Sequence, residues 1–189
     1  MVLPGAQLFP NVPFSLYIFE PRYRAMLSWS LEHDRMFCLA PMKPGISEAR
    51  TTDDFHHIIG LGLVRACVGR EDGTSHLILQ GLARMRIVGF LQETPFRIAA
   101  LQELGSPPLP ATERERLTTV LHDLCARHFA GEIQLPVPLE HQLEQIDDPS
   151  MLADVIAHSC LADAEVRQQV FEELDVVRRV DLLTQYLGK

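Results

Sequence analysis

The stretch Leu8-Phe9-Pro10-Asn11-Val12-Pro13-Phe14-Ser15-Leu16-Tyr17-Ile18-Phe19-Glu20-Pro21-Arg22-Tyr23 decides how this chain is read. An apolar extended run stops at an acid, and a helix then opens on proline. Pro21 suits the first helical turn, where its missing N–H costs nothing, and Glu20 ahead of it suits the positive helix end. Tyr23, Met26, Leu27, Ser30 and Leu31 follow at helical spacing and predict one buried face. Within the strand, alternation places Phe14, Leu16 and Ile18 on one side and Tyr17 and Phe19 on the other. Both sides are apolar, so both need cover.

Working outward, the chain stays β-rich as far as Leu104. Phe55 to Val68 and Ser75 to Phe90 are rich in Ile, Leu and Val. The Asp72-Gly73 step between them is a hairpin signal. Asp34 to Ala40 and Phe96 to Leu104 read as further strands. Gly60, Gly62, Gly81 and Gly89 interrupt the runs, and glycines inside strands mark bulges or bends. Together they predict a strongly curled sheet or small barrel. Pro41 to Asp54 reads as a loop with few apolar anchors.

Gly105-Ser106-Pro107-Pro108-Leu109-Pro110 is a stiff connector, and beyond it the period becomes 3.6. Thr112 and Glu115 have capping-box spacing, ahead of a stripe of Leu117, Val120, Leu121, Leu124 and His128. Asp148-Pro149 opens a helix with Leu152, Val155, Ile156 and Cys160 inward. Asp163 and Asp175 read as two more N-caps. The fold class is therefore α+β. A curled antiparallel β-domain with one helix spans residues 1–104, a proline-rich linker spans 105–110, and an α-helical bundle spans 111–189.

Charge is partitioned between the halves. Of 17 Lys+Arg and 25 Asp+Glu, residues 1–104 hold ten of each, so the whole net charge of −8 falls after the connector. An acidic half repels a phosphate backbone and the neutral half has no basic stripe, which argues against nucleic acid. Nothing in the sequence is apolar enough for a membrane span or a signal core. The expected location is cytoplasmic, with Cys38, Cys67, Cys125 and Cys160 as small, buried, reduced side chains.

The opening motif, ending Ile18-Phe19-Glu20-Pro21-Arg22-Tyr23, resembles the N-terminal substrate-recognition domain of Lon proteases. Further resemblances follow in the family's order. They are Ile59-Gly60-Leu61-Gly62, the Gly81-Leu82-Ala83-Arg84-Met85-Arg86-Ile87 hairpin strand, Asp148-Pro149-Ser150-Met151-Leu152-Ala153-Asp154, and Leu174-Asp175-Val176. The family has a fuller first strand than Met1-Val2-Leu3-Pro4. The resemblance implies a β-domain similar to the accessory modules of pseudouridine synthases (PUA-like), followed by helices, in a stand-alone form lacking ATPase and peptidase.

The chain lacks the phosphate-cradling Gly-x-x-x-x-Gly-Lys-Ser/Thr loop. Its two lysines, Lys43 and Lys189, lie in no Ser–Lys dyad context. His56-His57 point to opposite faces of a strand, and His122 and His128 miss the i, i+4 metal spacing. No catalytic residue, metal or cofactor is therefore expected.

The resemblance implies a non-catalytic module for unfolded or extended polypeptide, an adaptor in protein quality control with a protease or chaperone as companion. Phe9, Phe14, Tyr17 and Phe19 are the candidate binding residues, with core packing as the competing fate of each aromatic. Lon's ring-forming parts are missing, so a monomer or weak dimer is expected. Glu20, Pro21, Arg22, Tyr23, Arg84 and Arg86 form the structural motif, in which Glu20 is expected to pair with Arg84 or Arg86 because a buried charge needs a partner. The alternative is a small-ligand protein or enzyme with its site in the cleft between the halves.

Overall fold

A computed structural model describes residues 1–3, 5–46, 48–129, 143 and 145–188, the side chain of Phe129 excepted. Pro4 of the expected first strand and Lys189 lie outside them. The chain divides into two compact units, Met1–Leu104 and Gly105–Lys189.

Among the described residues, the first unit is an antiparallel five-stranded sheet with one α-helix. Strand β1 (Pro13–Ile18) leads into helix α1 (Pro21–Glu32). Then come β2 (Met36–Leu39), β3 (Ile59–Gly69), β4 (Ser75–Gln92) and β5 (Ile98–Leu104). The strand order is β1-β4-β3-β2, and β5 also pairs with β4. β4 is long enough to hold β1 along Ser75 to Gln80 and β5 along Arg84 to Gln92. Bulges at Leu61/Gly62, Val64/Ala66, Ile87/Gly89 and Phe90/Gln92 bend these strands. The sheet nevertheless stays open, because no pairing among the described residues joins β2 to β5. That corrects the small barrel suggested by the glycines.

Two of those glycines serve a different purpose from the one read in the sequence. A Cβ on Gly60 would lie 2.3 Å from the Leu8 carbonyl oxygen, and one on Gly81 would lie 1.9 Å from that of Phe9. The Leu8-Phe9 backbone crosses directly over the sheet, and only glycine permits that approach. Gly81 also exchanges backbone bonds with Asn11 and Val12, both 2.9 Å. Asn11 takes the left-handed turn (φ 63°) that sends the chain into β1.

Leu8, Leu16, Ile18, Tyr23, Met26, Leu27, Leu39, Val64, Leu77 and Leu79 form the main core of this unit. On α1, Tyr23, Met26, Leu27 and Ser30 are buried as the spacing predicts, whereas Leu31 is exposed. The loop from Pro41 is better anchored than expected. Met42 bridges Phe55, Ala49 is buried, and a 3-10 turn at Thr52–Asp54 carries a full capping box.

The second unit contains α2 (Ala111–Phe129), α3 (Pro149–Cys160), α4 (Ala164–Glu172) and α5 (Val176–Leu187). Leu117, Leu121, Leu124, Leu152, Ile156, Val170, Phe171, Val180 and Leu183 fill its centre. Three N-caps stand as read. Asp148 accepts from Met151 N–H, Asp163 from Glu165 and Val166, and Asp175 from Val177 and Arg178. Thr112 is a correction: α2 already starts at Ala111, and Arg114 N–H bonds to the Pro110 carbonyl. Proline's fixed φ starts the helix earlier than the threonine would. The four cysteines are free and only half-buried.

Candidate functional site

The alternation read in β1 holds residue by residue. Leu16 and Ile18 are buried and Phe14 packs against the same core. Tyr17 and Phe19 remain 43% and 57% exposed. Two expected binding residues therefore leave the candidate surface. Phe9 is 0% exposed, trapped where the chain crosses Gly81, and Phe14 faces inward.

Pairing register shows what lies beside Tyr17. Its partner on β4 is His76, and the partner of His76 on β3 is Val68. One step along, Ile78 pairs with Ser15 and Ala66. Side chains of directly opposed residues share a face, so Tyr17, His76, Val68, Ser15, Ile78 and Ala66 form one continuous outer surface. Val68 is 67% exposed and Ile78 is 43% exposed. A groove of about 440 Å³ runs among them. The Tyr17 ring stacks on His76 at 4.6 Å and on Phe19 at 5.7 Å between centroids. β1 ends the strand order, so its outer edge carries no strand partner among the described residues. Val68, His76 and Ile78 escaped the sequence reading because their shared face depends on register across three strands. The signal they did carry was the apolar residue at alternate, outward positions of β3 and β4.

The charged motif is arranged differently from expectation. Glu20 pairs with Arg22 at 2.9 Å, both side chains being well exposed. The pair is local because both residues flank the start of α1, whereas Arg84 is buried within β4 with its guanidinium 6.0 Å from the Phe9 ring centroid. Arg86 faces solvent. Pro21 begins α1 as read, and the Arg22 guanidinium lies 4.6 Å over the Tyr23 ring. Tyr23 ties the chain start to α1, since its hydroxyl donates to the Val2 carbonyl (3.1 Å) and accepts from the Val2 N–H (3.2 Å).

Among the described residues, no group of three or more His, Cys, Asp or Glu is placed to hold a metal ion. No helix among them is long and apolar enough to cross a membrane. What this surface offers chemically is apolar contact, an aromatic stack and a free strand edge, the means by which extended chain is gripped.

The chain is similar over its whole length to parts of known proteins. The Lon protease of Desulfosudis oleivorans is 26% identical over 192 residues, which takes in 100% of this chain and 23% of that protein. The Lon protease of Escherichia coli strain K12 is 26% identical over 180 residues, 93% of this chain and 22% of that one. The chain thus spans under a quarter of the length of these relatives. Among solved structures, the N-terminal domain of a Mycobacterium avium complex Lon protease superposes with a TM-score of 0.79 at 15% identity, covering 100% and 96% of the two chains. A Lon N-terminal domain protein from Xanthomonas campestris gives 0.68 at 17% identity, covering 98% and 96%. These structures share the fold. With all of residues 1–189 matching the ATP-dependent protease La (LON) substrate-binding domain, this chain belongs to that family.

Proposed function

We propose that this chain binds unfolded or extended polypeptide on the outer face of β1, β4 and β3, and that it acts as an adaptor in protein quality control without a catalytic step of its own. The observation that carries the reading is the exposed apolar row Tyr17, Val68 and Ile78, set beside the open edge of β1. Scattered apolar residues are normal on a surface, but a contiguous set beside a groove marks an interaction site. An apolar side chain of a bound segment would enter the groove, while the β1 edge would pair with its backbone. Candidate companions are a protease or a chaperone that acts on the captured chain.

The test is a titration with a permanently unfolded, carboxymethylated protein, followed by fluorescence anisotropy. Tyr17→Ser, Val68→Ser and the double variant should weaken binding progressively, by at least tenfold in the double. Unchanged affinity in a folded double variant would falsify the assignment of this face.

A further inference from the structure

A second cavity lies within the β-rich unit, and it shares no residue with the outer groove. It measures about 360 Å³ and sits among α1, β2, β4 and β5. Trp29, Phe37, Phe55, Phe90, Phe96 and Leu101 line it. Protein interiors hold few voids larger than a water molecule, whereas ligand sites start at roughly 300 Å³. Trp29 is 39% exposed, so the cavity reaches solvent at its wall.

Arg97 gives this apolar space a polar end. Its guanidinium lies 5.0 Å from the Phe90 ring centroid and 5.8 Å from that of Phe55, both wall residues. Among the described residues, one N–H is committed, to the Ala49 carbonyl at 2.5 Å. A guanidinium carries five donors in a planar fork that matches a carboxylate. Asp34, also on the wall, repels an anion and accepts from the Met36 N–H (3.0 Å). The Met1 amino group is turned to the Cys38 carbonyl at 2.6 Å. Arg97 is therefore the group best suited to a ligand head.

We infer that this cavity binds an unbranched aliphatic carboxylate, its chain among the aromatic walls and its head group on Arg97. At about 30 Å³ for each water-sized group, the space holds on the order of a dozen non-hydrogen atoms, the size of decanoate. The inference is independent of polypeptide binding on the outer face.

Trp29 is the only tryptophan of the chain and lines the cavity, so its fluorescence reports occupancy directly. The whole purified chain is titrated with decanoate below its micelle concentration, and in parallel with decanol. A saturable, one-to-one change is expected with decanoate, with decanol at least tenfold weaker. Arg97→Gln should bring decanoate down to the decanol level, and Arg97→Lys should keep part of the preference. Ala99→Leu, which narrows the cavity, should weaken both ligands while leaving unfolded-protein binding intact. Tyr17→Ser, outside this cavity, should leave the decanoate response as it is in the parent chain. Equal affinity for decanoate and decanol, a linear response, or loss of the signal in Tyr17→Ser each overturns the inference. So does displacement of decanoate by a peptide with a free apolar carboxy-terminus but not by other fatty acids, since the site would then read chain ends.

Discussion

Arg179 and Asp154 form a buried ion pair, Nη1 to Oδ1 3.0 Å, with the arginine side chain 0% exposed. They come from α5 and α3. The same guanidinium donates to the Glu173 carbonyl (3.0 Å), the Ser150 hydroxyl (3.1 Å) and the Ser106 hydroxyl (3.2 Å). One side chain thereby gathers the connector, the start of α3 and the turn between α4 and α5. Five donors in a rigid fork make arginine suited to this, and lysine could not reach the same set.

Breaking that pair from either side removes the opposite charge that each residue meets away from water. Arg179→Met and Asp154→Asn should each destabilise the helical unit by about 3–5 kcal/mol. The double variant should cost less than the sum of the singles, because the two side chains interact directly and each single already removes that interaction. Urea unfolding followed by circular dichroism measures all three. Additive losses would show that the two residues are stabilised by other neighbours.

The crossing of Leu8-Phe9 over the sheet gives a second expectation. Gly81→Ala places a methyl group against the Phe9 carbonyl, where backbone and not a flexible side chain must give way. Overpacking costs about 1–3 kcal/mol, and this contact belongs at the upper end of that range or beyond. Gly89→Ala is the matched control, since a Cβ there meets nothing within 4 Å. A pair of thermal melts separates the two, and equal midpoints would contradict the crossing.

These cases show where sequence reading works and where it stops. β1, α1 and the caps at Asp148, Asp163 and Asp175 were legible because each depends on residues within one turn or one strand of itself. Gly81 was visible only as an interruption, since its reason sits some seventy residues earlier in Phe9. Asp154 lay inside a recognised motif and Arg179 just beyond another, yet their 25-residue separation concealed that they meet. Thr112 shows the converse error, a local signal overridden by the proline two residues before it. At the candidate site, the alternation in β1 separated Tyr17 from Leu16 correctly. Val68 and Ile78 needed the β3–β4–β1 register, which bulges shift in ways that strand composition does not encode.

Asp54 supplies a pH dependence. It accepts from the backbone N–H groups of Thr51 and Arg50, both 2.7 Å, and from the Thr51 hydroxyl, which hold its carboxyl below the ordinary value of 3.8. A folded value lowered in this way adds stability that is complete above the unfolded value. That contribution is lost as pH falls through the folded one. Acidification below about pH 4 should loosen the loop around Thr52–Asp54 before the sheet. Hydrogen-exchange protection factors at the amides of Arg50 and Thr51, each taken against the intrinsic rate at that pH, report this. Asp54→Ala should leave both amides weakly protected, with protection factors that no longer change as pH falls through this range.

Thiol chemistry tests the packing in both units. Burial pushes Cys38 and Cys125 up to about 11, and Cys160, with Cys125 adding to the effect, up to about 12. The thiolate is the nucleophile, so at pH 8 these three should resist iodoacetamide in the native chain. All four cysteines should alkylate together in urea. Mass spectrometry of the digested protein identifies each site, and rapid native labelling of Cys38 or Cys160 would contradict their raised thiol values.

The sharpest contrast lies within β1, where neighbouring residues have opposite fates. Leu16 and Ile18 are buried among Leu77, Leu79 and Val64, so truncation to alanine should cost about 2–5 kcal/mol each. Tyr17 lies between them and faces outward, so Tyr17→Ser should change stability by less than about 1 kcal/mol. If the outer face binds polypeptide, the order reverses for affinity. Tyr17→Ser would lose binding while remaining folded, and Ile18→Val, a mild core change, would lose some stability but keep its affinity. Chemical denaturation and binding measured on the same samples give both axes. Loss of stability and loss of affinity rising together in all variants would mean that β1 serves the core alone.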